Sequence, residues 1–212
     1  VIQAWYPVEE GGNAVADILY GKVSPSGKLS VSYPAEEIRE PICYNTSVEK
    51  DSRIAYPFGY GLSYTTFEYS NIMVNGKPAS NSQITDDQRM TTADCDARFN
   101  ISVDVENTGK VDGDEIVQLY VSPDGSNANI RPIQLQGFAR VSLKAGEKKT
   151  ITFGLSPQQL GYYNNGHWSI DAGKYQIKIA ASSADIRQQT IVELTGEQHN
   201  LDLRTSYFTT VN

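Results

Sequence analysis

The sequence predicts a mainly β chain, an antiparallel β-sandwich preceded by a short helix and one strand. Three observations carry this. Between residues 65 and 194, apolar residues recur at every second position in short runs, so each run has one apolar face. Turn signals separate the runs: Asn75-Gly76, Asn107-Thr108-Gly109, Asp112-Gly113, Asp124-Gly125, Ala145-Gly146, Asn165-Gly166 and Ala172-Gly173. Thirteen Tyr and 17 Gly, against two Met and two Trp, favour pleated structure with tight turns.

The helix comes first. Val15, Ile18 and Leu19 stand at i, i+3 and i+4, which makes an apolar stripe over Ala14–Tyr20. Asn13 is the expected N-cap, and Gly21 the expected left-handed end. A helix this short is marginal in water and needs a larger body to pack on. Ser24–Lys28 reads as a turn. Leu29, Val31 and Tyr33 alternate with polar residues as a strand that Pro34 ends. Residues 35–64 have mixed charge, with Pro41 and Pro57. There the run Tyr56-Pro57-Phe58-Gly59-Tyr60-Gly61-Leu62-Ser63-Tyr64 predicts a tight, buried corner, with glycines allowing close approach while rings fill volume.

The sandwich strands follow. Phe99, Ile101, Val103 and Val105 share one face, with Asn100, Ser102, Asp104 and Glu106 on the other. Val117, Leu119 and Val121 alternate with Gln118 and Tyr120. Ala139, Val141 and Leu143 form a third run. Ile151, Phe153 and Leu155 form a fourth, with Thr150 and Thr152 outward, and Tyr175, Ile177, Ile179 and Ala181 a fifth. The pattern is that of about seven short strands, each with one buried face. Polar Ala79–Arg98 reads as a long exposed loop. Gly196–Asn212 reads as a polar tail whose Tyr207 and Phe208 leave docking and fraying both open.

Composition excludes several functions. Eighteen Lys+Arg against 25 Asp+Glu give a formal net charge of −7, without the basic footprint of a nucleic-acid or anionic-membrane binder. No apolar run approaches the roughly 18 residues of a membrane-spanning helix. The chain of 212 residues is too short for a single-chain barrel enzyme, whose barrel takes about 250 residues. It opens on VIQAWYPVEE, without Met or a signal-peptide layout, and reads as the middle of something longer.

Motif chemistry is sparse. The phosphate-loop, dinucleotide, zinc-protease and nucleophile-elbow patterns are absent. Cys43 and Cys95 show no metal spacing and read as unpaired thiols, with a disulfide between them left open. His167 and His199 stand far apart, which disfavours a His-based metal site or a Ser-His-Asp triad; His167 reads as a surface turn residue. Asp112, Asp114 and Glu115 form an acidic turn that lacks calcium-loop spacing and reads as solvated. Asn45-Thr46-Ser47 and Asn100-Ile101-Ser102 match the glycosylation sequon, with Asn100 better read as an outward strand residue. The unusual carboxylate pair is Glu9-Glu10, between Pro7 and Gly11-Gly12 just before the helix. Capping and ligand contact both suit that position.

Longer segments resemble a known family. AWYPVEEGGNAVADILYGKVSPSGKLSVSYP is similar to the closing segment of the α/β sandwich domain of family 3 glycoside hydrolases, the β-glucosidase and β-xylosidase group. YPFGYGLSYTTFEYS resembles their junction segment. VENTGKVDGDEIVQLYVS, RPIQLQGFARVSLKAGE and AGKYQIKIAASS resemble their fibronectin type III-like domain. The matches run in family order up to about Asp185.

The resemblance implies a fibronectin type III/immunoglobulin-like sandwich and four zones. Residues 1–35 are the end of the α/β sandwich domain, 36–64 the junction, 65–194 the sandwich and 195–212 the tail. It implies a C-terminal part of a retaining, exo-acting β-glycosidase for terminal β-linked glucose or xylose. Its partners are then the absent barrel and α/β domains and a glycoside or oligosaccharide substrate, with a homodimer kept open. Retention needs two carboxylates about 5–5.5 Å apart. In the family the Asp nucleophile lies on the barrel and the Glu acid/base upstream of the AWYP stretch, so no catalytic residue falls in this chain. Neither Glu9 nor Glu10 fills those roles. Both are carried over as candidate substrate-binding residues at the pocket rim. Val8, where the family usually has Gly, restricts that loop. No cofactor or metal is implied, the segment alone is expected to be inactive, and the localisation implied is secreted or periplasmic. The competing reading is a non-catalytic carbohydrate-binding or interaction module. It would need an exposed aromatic row on a sheet, and among the outward positions only Tyr120 suits it.

Overall fold

The computed structural model describes residues 1–35, 42, 53–81, 83–123 and 133–212. Cys43, the Asn45 sequon and the Asp124-Gly125 turn lie outside the described residues.

The helix, α1, spans Gly11–Leu19. The strands in chain order are β1 (Tyr33–Pro34), β2 (Ile54–Tyr56), β3 (Phe67–Val74), β4 (Lys77–Pro78), β5 (Arg89–Thr91), β6 (Phe99–Asn107), β7 (Gly113–Pro123) and β8 (Gln134–Leu143). They continue as β9 (Lys148–Leu155), β10 (Tyr162–Asn164), β11 (His167–Ile170), β12 (Gly173–Ala180), β13 (Ile186–Thr195), β14 (His199–Leu201) and β15 (Thr210–Val211). Two five-stranded sheets, β5-β13-β12-β7-β8 and β15-β9-β6-β3-β4, enclose one core. The short strands β4, β5 and β15 lie at sheet edges, and the other seven carry the alternation. All pairings in these sheets are antiparallel except β5 with β13.

The period-2 pattern does what it predicts. Phe99, Ile101, Val103 and Val105 are all 0% exposed, as are Val117, Leu119 and Phe153. Burying each large apolar side chain contributes about 1.5–3 kcal/mol. The Asn75-Gly76 and Asn165-Gly166 turns have both residues at positive φ (52° and 78°; 48° and 91°), as two-residue hairpins with native twist require. The second joins β10 to β11 and leaves His167 exposed at the start of a strand.

Several expectations change. The helix begins at Gly11, so Asn13 lies inside its first turn and Glu10 takes the N-cap position; Gly21 does end it in left-handed geometry (φ 70°). The strand expected over Leu29–Tyr33 is confined to β1, and Pro34 belongs to it. Leu29 still pairs, donating to the Tyr60 carbonyl (2.8 Å) and accepting from Gly59 (2.7 Å). Irregularity between Ile179 and Ala180 ends β12 before Ala181, which leaves the buried face.

Ala79–Arg98 is not an exposed loop. Gln88, 1% exposed, donates to the Ser80 carbonyl (2.9 Å), Thr190 Oγ1 (3.1 Å) and the Ile191 carbonyl (2.6 Å), which seats a 3-10 turn and β5 against β13. Here a satisfied polar group takes a core position. Asn107 does the same at the Asn107-Thr108-Gly109 turn, donating to the Val111 and Leu143 carbonyls (2.9 and 3.1 Å) and accepting from Thr65 and Gly109.

The tail docks, though not through its aromatics. Gln158 Oε1 accepts from the amides of Thr205 and Ser206 (2.8 and 3.1 Å), and Thr209 Oγ1 donates to the Gln136 carbonyl (2.6 Å). β15 then pairs with β9. Tyr207 and Phe208 stay 52% and 84% exposed.

Candidate functional site

The loop from Pro7 to Gly12 is shaped by its own backbone. Gly11 donates to the Val8 carbonyl (2.8 Å), and Pro7 packs where a Cβ on Gly11 would sit. Val8 is 83% exposed and is not among the positive-φ residues, so its branched side chain is tolerated. Glu9 and Glu10 are both exposed. Glu10 accepts from Asn13 Nδ2 (2.6 Å), which holds its carboxylate at the helix start, where the dipole favours a negative charge. Trp5, at φ 51°, sits 6.5 Å from Tyr33, ring to ring. The loop thus presents two carboxylates and exposed aromatics on a fixed backbone.

Behind this loop, residues 24–32 and 58–64 are fastened to the sandwich. Lys28 Nζ reaches Glu115 Oε1 at 3.4 Å and the Gly61 carbonyl at 3.3 Å. Tyr69 donates to Glu115 Oε1 at 2.9 Å. Burial, and then the Glu115 charge, hold the Tyr69 hydroxyl far above its ordinary range, so it stays a donor. Glu115 is 3% exposed, which corrects the solvated-turn expectation. The acidic turn disperses its groups: Asp114 pairs with Arg140 (2.7 Å), and Asp112 accepts from the Ala145 amide (2.9 Å). Ser142, then Arg140, hold the Asp114 carboxyl below the usual range.

The stretch around Gly59 closes over the outer face of β7. Gly59 is buried at φ 78°, and a Cβ there would strike the Gln118 side chain. Gln118 Nε2 donates to the Gly59 and Ala181 carbonyls (3.2 and 2.8 Å), and Tyr120 donates to Gln118 Oε1 (2.6 Å). Tyr120, expected outward, is therefore 0% exposed. The corner is tight but only partly buried, because Tyr56, Leu62 and Tyr64 remain exposed. Tyr64 reaches back to donate to the Ile18 carbonyl of α1 (2.8 Å).

Among the described residues no three His, Cys, Asp or Glu converge to hold a metal. Cys95 is a free thiol facing the Thr92 carbonyl (3.4 Å), with its pKa raised by burial and then by Asp96 and Asp94. Among the described residues no helix is long and apolar enough to cross a membrane. Gln88, Asn107, Gln118 and Lys28 were missed as organising residues; their sole sequence signal is a polar residue beside a turn or inside an apolar run.

Residues 1–64 match the family model of the glycosyl hydrolase family 3 C-terminal domain, and residues 115–183 that of the fibronectin type III-like domain. A beta-glucosidase of Kluyveromyces marxianus is 39% identical over 210 residues, covering 88% of this chain and 23% of the relative. A periplasmic beta-glucosidase of Salmonella typhimurium is 34% identical over 89% of this chain and 25% of its own length. An exo-alpha-(1->6)-L-arabinopyranosidase of Bifidobacterium longum is 32% identical over 93% and 27%. The solved Kluyveromyces marxianus beta-glucosidase in complex with glucose has a TM-score of 0.71 at 33% identity, over 90% of this chain and 24% of that one. The chain spans about a quarter of the length of these relatives. With both segments matched in order and the sandwich in place, the chain belongs to glycoside hydrolase family 3 as a C-terminal portion with a fibronectin type III-like domain.

Proposed function

We propose that the intact protein is a retaining, exo-acting β-glycosidase, a β-glucosidase or β-xylosidase, and that this portion is its scaffold. The observation that supports this best is the coincidence of two properties in residues 1–31. They match the family model, and they expose Trp5, Tyr6, Val8, Leu19 and Tyr20 while the sandwich beside them is fully packed. The rest of the α/β sandwich domain and the barrel are the partners that cover this apolar surface. In this reading residues 1–35 end the α/β domain, 36–64 are the junction, 65–194 the sandwich and 195–212 the tail.

The nucleophile and the acid/base lie outside this chain. Glu9 and Glu10 stand at the rim of the pocket, where either one accepts from sugar hydroxyls. The Lys28–Glu115 pair and the Gly59–Gln118 contact hold the loop's base. The sugar is set elsewhere, because relatives named for glucosidase and arabinopyranosidase activity match this portion about equally well. Secretion or a periplasmic location agrees with the name of the Salmonella relative. A homodimer is carried as a further proposal, to be read by sedimentation.

The test is hydrolysis of nitrophenyl β-glucoside and β-xyloside by the intact protein and by the 212-residue chain. Turnover by the intact protein alone is expected. Turnover by the short chain overturns the scaffold reading.

A further inference from the structure

Beside the sheet β10-β11-β14 stands an arginine for which the described residues supply no ion-pair partner. Just after β14, Arg204 lies over the Trp168 ring of β11, 4.5 Å from its centroid, with the Tyr207 ring 5.1 Å away. Its Nε donates to the Ser206 carbonyl (2.8 Å). Among the described residues no carboxylate pairs with it, and neither terminal nitrogen has a protein partner, yet neither is sealed from solvent. Burial pulls its pKa down, the mark of a guanidinium that has lost water without gaining an anion. The Ser206 hydroxyl next to it is buried and unpartnered.

The surroundings are aromatic and open. Tyr163 stands directly opposite Trp168 in the β10–β11 register, so both project on one side of the sheet, and Tyr163 is 72% exposed. Tyr207 is 52% exposed as well, so the cluster offers two open aromatic side chains. A guanidinium in contact with two rings and tied through its Nε keeps its remaining donors oriented, and a carboxylate matches that planar fork.

We propose that this cluster binds a carboxylated sugar, a uronic acid unit within a saccharide. The carboxylate takes the open fork of Arg204, and the faces of Tyr163 and Tyr207 carry the apolar face of the pyranose. That the carboxylate belongs to a sugar and not to an acidic peptide rests on the function proposed above.

The test is electrophoresis of the intact protein through gels containing polygalacturonate or a neutral β-glucan. Retardation by polygalacturonate alone is expected, and a variant that preserves charge separates a built site from general attraction to a polyanion. Arg204→Lys keeps the charge and removes the fork, and is expected to weaken retardation about tenfold. Tyr163→Ala, at an exposed site that leaves the fold intact, is expected to weaken it about threefold. An unretarded parent, unchanged retardation in both variants, or displacement by an acidic peptide but not by galacturonate oligomers each overturns the site. Binding is read without turnover. A parent that hydrolyses nitrophenyl glycosides yet runs unretarded therefore loses this site alone, and one that is retarded but hydrolyses nothing loses only the proposed activity.

Discussion

Phe99 and Leu19 are both large apolar residues at positions that periodicity marks as inward, yet Phe99 is 0% exposed and Leu19 66%. Phe99 sits in a sandwich that supplies both of its layers. Leu19 sits on α1, none of whose residues is fully buried. Amphipathic spacing states which face must be covered, not which body covers it. Of the α1 stripe, Val15 and Ile18 are half-buried and Leu19 is exposed, whereas the sandwich covers its own apolar faces.

Substitutions test that division. Phe153→Ala, in the core of β9, is expected to cost the most, about 3–5 kcal/mol by denaturant unfolding of this chain. A cost below about 1 kcal/mol would refute a sandwich that carries its own stability.

Glu115→Ala comes next, at about 3 kcal/mol, because it strands Lys28 and Tyr69 without their shared partner. Its signature is local: the Leu29 and Gly59 amides should lose hydrogen-exchange protection before those of β6. Equal loss throughout would mean that the fastening and the sandwich are one cooperative unit.

A smaller effect lies in acid. Thr150, then Asn71, hold the Asp104 carboxyl below its ordinary value. A depressed folded pKa contributes stability that is present above the unfolded value, about 3.9, and is lost as pH falls through the folded one. Asp104→Asn should be less stable than the parent at pH 7, with the gap closing below about pH 4. A gap that widens in acid would contradict the assignment.

The smallest expected effect is the sharpest for the comparison. Leu19→Ala should change the stability of this chain by less than about 0.5 kcal/mol, yet cost about 2 kcal/mol in the intact protein. Equal costs in both would mean that the helix stripe has no partner beyond this chain.

Legibility in the sequence followed the same division. Where one strand face is apolar and the other is polar or glycine, as in Phe99–Val105 or Ile151–Leu155, alternation alone located the core. It failed where a second layer covers the outer face. Gln118 and Tyr120 read as outward because nothing local shows that Gly59 will close over them. It failed again where polar groups do the packing: Gln88 and Asn107 satisfy backbone amides and carbonyls from core positions, and a hydropathy pattern scores them as loop. The Glu9-Glu10 loop was visible as an oddity, and the structure leaves both carboxylates exposed. Arg204 was invisible, because its meaning lies in two rings brought over it by the turn after β14.

One short pairing reaches further than its length. β9 is the outermost long strand of its sheet, and β15 occupies the Thr152–Gly154 stretch of the amides and carbonyls it would otherwise present. If Gln158 and Gln159 lost their grip on Thr205 and Thr209, that row would open as an adhesive border for another copy's strand. Colloidal behaviour of the protein then hangs on a few amide side chains. Turbidity that rises with the square of concentration, on substituting Gln158, is how that border would announce itself.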